Sequence, residues 1–158
     1  MKKSKTYLII TSSGGGGHLQ AANAIEQEIL SREQDIKIIK KDFLMDWVGF
    51  PFGNFSSSAW KFAQIYQFIY FQKIFAKLQR YAEIIFSPFV FIKLLKLLCK
   101  EEISFIYDTQ CLTTRAIVLA IKIYNTKKNK DLKIQKIITD LPIKTSSHFF
   151  RSIKKLSD

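Results

Sequence analysis

The chain has 158 residues, 47% of them apolar and 14% aromatic, and its 25 Lys and Arg outweigh 13 Asp and Glu to give a formal charge of +12. That length suits about one domain, and the apolar content supplies a core and excludes a fully disordered protein. The charge is concentrated: between Asp46 and Glu101 the only acid is Glu83, against Lys61, Lys73, Lys77, Arg80, Lys93, Lys96 and Lys100, so half of the net charge lies in that block.

The basic start, Met1-Lys2-Lys3-Ser4-Lys5, precedes an apolar stretch too short for a signal-peptide core, and no small-residue cleavage site follows it. A cytoplasmic location is therefore expected. Residues 5–12, with Tyr7-Leu8-Ile9-Ile10 at their centre, read as a first parallel strand. The loop Thr11-Ser12-Ser13-Gly14-Gly15-Gly16-Gly17-His18 comes next, and residues 19–31 form the first predicted helix, with Ala22, Ile25, Ile29 and Leu30 on one face. Glycines at that position permit positive φ and close approach of a ligand to the backbone N–H groups. The helix start adds unpaired N–H groups and partial positive charge, so Ser13, Gly14, Gly15, Gly16 and Gly17 are candidates for holding a phosphate or an acceptor group. A flexible glycine turn is the competing structural reading. The Gly-Lys-Ser/Thr of a P-loop is absent, and Gly14, Gly16 and Ala22 match a dinucleotide fingerprint only loosely.

A second strand is expected over Asp35–Phe43, where β-branched residues alternate with lysines and Asp42 lies at the end. Strand, helix and strand in this order imply a right-handed crossover and a parallel pair. Residues 44–54, with Gly49, Pro51 and Gly53, read as a loop. Beyond it, residues 55–98 are crowded with rings, including Trp60, Phe62, Tyr66, Phe75 and Phe89. Their longest uncharged run, Phe62–Gln72, has 11 residues, short of the ~20 that span a bilayer as a helix. Ser87-Pro88 predicts a break between helices over about 56–84 and 88–99. Their apolar arcs are too broad for a single core-facing stripe, so this segment covers the sheet on one side and meets something else on the other.

Ile103–Asp108 reads as a buried third strand, a helix follows from Thr113 or Thr114 to about Lys127, residues 125–131 read as an exposed loop, and 134–139 as a fourth strand stopped by Asp140 and Pro142. Cys99 and Cys111 have no metal spacing and read as reduced, packed thiols. The pattern predicts an α/β domain: a Rossmann-like parallel sheet flanked by helices, with ligand contacts at the C-terminal ends of the strands.

Basic residues among rings suit two kinds of surface. Nucleic acid would stack bases on the rings and place phosphates on lysines. An anionic membrane would take rings and aliphatics into its interface and lysines against its headgroups, which makes Trp60, Lys61, Lys73, Lys77, Arg80, Phe89, Lys93 and Lys96 membrane-binding candidates. Nucleic acid is disfavoured because the rings lie in long helix-like runs, and an ordinary solvated basic face is the structural alternative.

The stretch Ser12-Ser13-Gly14-Gly15-Gly16-Gly17-His18, followed by Ala21-Ala22 and Ala24-Ile25, resembles the opening of the acceptor-binding N-terminal domain of monogalactosyldiacylglycerol-synthase-like and diacylglycerol glucosyltransferases, relatives of the peptidoglycan N-acetylglucosaminyltransferase. Asp42, the hydrophobic basic middle, Thr139-Asp140 and His148 follow in the same order as that family's landmarks. Two places depart from it: Tyr107-Asp108-Thr109-Gln110 replaces a Ser/Thr-His-Pro-like sequence, and Phe149-Phe150 stand where a tryptophan often lies. The resemblance implies the N-terminal half of a GT-B fold, binding a lipid acceptor such as diacylglycerol. A UDP-sugar would be the co-substrate, held mainly by a C-terminal donor half that the family carries beyond the position of Asp158. With that half absent, the expectation is a chain inactive alone and peripheral on the membrane, partnered by a separate donor-binding chain. The alternative is a non-catalytic membrane-binding module or a remnant of such an enzyme. His18 would be the general base on the acceptor hydroxyl, since histidine titrates near neutral pH, and Asp140 would orient it or bind acceptor hydroxyls. His148 is a weaker candidate in a polar stretch. Neither histidine has the neighbours of a metal site, and no cofactor is expected.

Overall fold

The structure, a computed structural model, describes residues 5–13, 16–49, 69–110, 112 and 114–139 and the positions 58, 62, 65 and 66; for 69–73, 75–80 and 82 it describes the backbone. Strands β1 (Lys5–Thr11), β2 (Ile36–Asp42), β3 (Ile103–Asp108) and β4 (Lys133–Lys136) form one parallel sheet in the order β2-β1-β3-β4. Helices α1 (Gly16–Arg32), α2 (Ile69–Lys100) and α3 (Thr114–Lys128) flank it. The result is the Rossmann-like α/β architecture that the alternation of strand and helix patterns predicts.

β1 is apolar at successive positions because both of its faces are covered. Leu8 and Ile10 point into a core shared with Val90, Leu94 and Leu98 of α2 and with Ile117, Ala120, Ile121 and Tyr124 of α3. Tyr7 and Ile9 point the other way, onto Ala22 and Ile29 of α1. Leu30, expected on the buried face of α1, is exposed instead. It follows Ile29 by one residue, which on a helix means about 100° of rotation away from the sheet.

The expected break at Pro88 does not occur, and α2 runs through it as one helix of 32 residues. Proline withholds the N–H that would bond the Ile84 carbonyl, and such a residue inside a helix costs about 3 kcal/mol. Val90, Leu94 and Leu98 recur at a spacing of four and are buried in the core, and burying three such side chains contributes roughly 1.5–3 kcal/mol each. Tertiary packing therefore outweighs the proline, while Ser87 Oγ donates to the Glu83 carbonyl at 2.6 Å beside it.

The segment expected as an open loop after Asp42 begins instead with a π-helical turn, Phe43–Val48, whose Phe43, Leu44 and Trp47 are buried. The polar segment after α3 is also shorter than predicted. The helix continues to Lys128 and stops where Asn129 takes φ 48°, a left-handed position that asparagine tolerates after a helix. The Asn125 amide then brackets Leu132, donating to its carbonyl at 3.1 Å and accepting from its N–H at 3.0 Å. Cys99, expected to be packed, is exposed on α2 beside buried Leu98. Cys111 lies outside the described residues.

Candidate functional site

All four strands deliver polar groups to their C-terminal ends, where a doubly wound sheet places its ligands. β1 ends at Thr11, followed by buried Ser12 and half-buried Ser13; β2 ends at Asp42; β3 ends at Asp108, followed by Thr109 and Gln110; β4 ends at Lys136, three residues before Thr139. α1 starts over this edge and carries His18 in its first turn.

The backbone of His18 is anchored first. Its carbonyl accepts from the hydroxyls of Thr11 and Thr109, both at 3.1 Å. Thr109 in turn ties β3 to β1, its N–H donating to the Ile10 carbonyl at 2.9 Å. The His18 ring is held from two further directions: Nδ1 lies 2.7 Å from the Thr109 carbonyl oxygen and 2.6 Å from Thr139 Oγ1. The ring is half-buried.

Asp42 organises the other side of the loop. Its Oδ2 accepts from the Ser13 N–H at 2.6 Å, and its Oδ1 accepts from the N–H groups of Leu44 and Met45 at 2.9 and 3.1 Å. One carboxylate thus fixes the end of the first strand–helix loop and caps the π-helical turn. Ser13 Oγ is buried and has no hydrogen-bond partner among the described residues.

Beneath Thr109 lies an ion pair. Asp108 is fully buried, and Lys136 Nζ donates to its Oδ2 at 2.6 Å and also to the Gln110 carbonyl. Burial pushes the Asp108 carboxyl above its ordinary range, and Lys136, the Gln110 N–H and His18 pull it back. Glu83, the single acid of the basic central block, is also pushed up by burial, against the opposing pull of Arg115 and Lys136. The pair holds the β3–α3 turn in place, and that turn supplies the carbonyl that meets the His18 ring.

Sequence reasoning placed His18, Ser13, Gly16 and Gly17 at this edge, and they are there. The glycines behave differently from the expectation. Gly16 and Gly17 belong to α1 and lack the positive φ seen at Gly49. A Cβ at Gly16 would meet open space, and at Gly17 only an ordinary contact with Thr139 at 3.8 Å. Backbone conformation and internal crowding therefore do not require glycine at these two positions. Gly14, Gly15, Asp140, His148, Trp60 and Lys61 lie outside the described residues. Lys73, Lys77 and Arg80 fall on the backbone of α2, and Phe89, Lys93 and Lys96 are exposed on that helix, with Ile84, Ile85 and Ile92. No described helix is long and apolar enough to cross a membrane, and no group of His, Cys, Asp and Glu among the described residues has the makings of a metal site.

Three participants were not singled out from the sequence, Thr109, Asp108 as a buried charge and Lys136, and Thr139 was noted only as a landmark beside Asp140, with no role at His18. Lys136 left the clearest trace, a single cation within the apolar stretch Ile134-Gln135-Lys136-Ile137-Ile138. A lysine whose side chain is buried needs an anion close by.

Comparison with protein-family models, curated proteins and solved structures finds no match to any of them. The site therefore has to be interpreted from its own chemistry.

Proposed function

We propose that this domain is the acceptor-binding half of a glycosyltransferase that moves a sugar from a UDP-sugar to a membrane lipid such as diacylglycerol. The observation that carries the reading is the position of His18, a titratable ring in the first turn of a helix over the strand ends, behind a serine–glycine loop. In the proposed step His18 takes the proton of the acceptor hydroxyl, that oxygen attacks the anomeric carbon, and the bond from that carbon to the UDP oxygen breaks with its electron pair. In this reading the nucleotide is held mainly by a donor-binding half.

A second reading, a non-catalytic module that sits on anionic membrane, is favoured by α2. Its Ile84, Ile85, Phe89 and Ile92 are exposed beside Lys93 and Lys96. The discriminating experiment joins the domain to a competent donor half and measures transfer to diacylglycerol in vesicles. Under the enzyme reading His18→Ala lowers turnover by roughly 10²- to 10⁴-fold, the range for a lost general base, and leaves vesicle binding unchanged. Unaltered turnover in His18→Ala would overturn the catalytic role. Vesicle binding with no turnover under any pairing would select the second reading.

A further inference from the structure

We infer that Thr139 is a positioning residue that, with the Thr109 carbonyl, fixes the tautomer of His18. This rests on the reading of His18 as a base for its functional meaning, although the tautomer itself is measurable without any activity.

The inference follows from what each oxygen around Nδ1 is able to do. The Thr109 carbonyl only accepts, and it lies 2.7 Å from Nδ1, a distance at which two lone pairs repel and an N–H donor bonds well. Nδ1 therefore carries a proton. Thr139 Oγ1, 2.6 Å from the same nitrogen, then receives the other share of that proton as an acceptor. In the neutral ring the lone pair is left on Nε2, so proton uptake takes place at that atom. Two oxygens hold the ring more firmly than one, because rotation about the ring bond or a shift of the proton to Nε2 abandons both contacts at once.

The two oxygens are themselves placed by the sheet. Thr109 is secured by its N–H bond to Ile10 and by its hydroxyl, which lies 3.2 Å from the Ile10 carbonyl and 3.1 Å from that of His18. Thr139 follows β4, whose continuation is held by the Ile137 N–H on the Asp108 carbonyl at 2.9 Å. The ring of His18 is thus oriented by groups from two different strand ends, the arrangement in which a third group fixes the geometry of a base.

The test uses the whole 158-residue chain labelled with ¹⁵N at histidine. His148→Gln identifies the His18 signals, since the chain has two histidines. Long-range ¹H–¹⁵N correlation at a pH where the ring is neutral should show His18 protonated at Nδ1 in the parent and in Thr139→Ser, which keeps the hydroxyl. In Thr139→Val, where the Thr109 carbonyl still meets Nδ1, the Nδ1–H form should stay the main one while a measurable share of the Nε2–H form appears. A parent ring protonated at Nε2, or a Thr139→Val ring indistinguishable from the parent, overturns the inference. The parent spectrum alone decides the first point should the valine variant fail to fold. With a donor half supplied, Thr139→Val should lower turnover about tenfold, the factor expected from one neutral hydrogen bond, and Thr139→Ser should restore it. A mixed tautomer with turnover unchanged would uphold the positioning role and refute the catalytic reading of His18.

Discussion

The buried pair beneath the site gives the sharpest test of the energetics. Replacing Lys136 by methionine keeps much of the stem and removes the charge. Asp108 Oδ2 then loses its cation, and Oδ1 retains only the Gln110 N–H at 3.2 Å. An ionised carboxylate left in that place escapes by protonation. Taking up the proton at pH 7 against an ordinary value of 3.8 costs about 1.36 kcal/mol for each of roughly 3.2 units, or about 4 kcal/mol, a ceiling for the difference because the raised carboxyl of the parent already carries part of that cost. The lost bond to the Gln110 carbonyl adds about 1 kcal/mol, so the loss at pH 7 should be at most about 5 kcal/mol, the scale on which breaking other buried pairs falls. At pH 5 the protonation part falls to at most about 1.6 kcal/mol and the total to at most about 3 kcal/mol. The direction follows from the raised value of Asp108. The folded state holds this proton more tightly than the unfolded chain does, so the group's contribution is complete at acid pH and is lost as pH rises through the folded value. Without Lys136 the folded value rises further, and the gap between parent and variant widens with pH. Urea unfolding of both proteins at pH 5, 6 and 7 measures it. Asp108→Asn in the Lys136→Met background should recover most of the loss at pH 7, because no charge is left buried. Equal losses at pH 5 and pH 7, or a loss below about 1 kcal/mol at pH 7, would refute this account.

Asp42→Ala removes the acceptor for three backbone N–H groups and should cost about 1–2 kcal/mol by urea unfolding, the scale of a lost cap; Asp42→Asn, which keeps one acceptor, should cost less. Binding to vesicles with anionic lipid should weaken as salt rises, since each lysine near such a surface contributes about 1 kcal/mol, and Ile85→Ser with Phe89→Ser should weaken it at every salt concentration; equal sedimentation with neutral and anionic vesicles would count against this surface. The domain without a donor half should transfer no sugar from UDP-sugar to diacylglycerol, and turnover by it alone would refute the division of labour proposed above.

Local pattern carried much of the fold. Tyr7-Leu8-Ile9-Ile10 and Ile103–Asp108 are strands because both are buried near the centre of a parallel sheet, and a short apolar run bounded by polar residues expresses that without reference to distant parts of the chain. What failed to show in the sequence depends on partners far along the chain. Pro88 reads locally as a break, and only the burial of Val90, Leu94 and Leu98 against β1 and α3 overrides it. The site divides in the same way. His18 is visible because a titratable ring ends a glycine run, whereas nothing local to Thr109 or Thr139, 91 and 121 positions away, tells that the sheet brings them to its nitrogen. The acid that completes Lys136 lies 28 residues earlier on the neighbouring strand. Register decides that pairing, aligning Asp108 with Lys136.

The adjacency of β1 and β3 also bears on how the protein is made. β1 leaves the ribosome well before the strand that covers its second edge, which follows nearly a hundred residues later: Thr6 pairs with Ile103, and its N–H meets the Ser104 hydroxyl across 98 positions. At ribosomal rates of about 5–20 residues per second, that interval lasts about 5–20 s, long beside the microseconds in which a helix such as α1 forms. During it β1 and β2 have time to pair around α1, but one edge of Leu8-Ile9-Ile10 presents bare N–H and C=O groups in an apolar ribbon, the kind of edge on which other chains add strands. We expect arrested nascent chains to change from protease-sensitive to protected once β3 has cleared the exit tunnel, and equal sensitivity on either side of that length would contradict the expectation. Successful synthesis would then depend on shielding one ribbon during that interval.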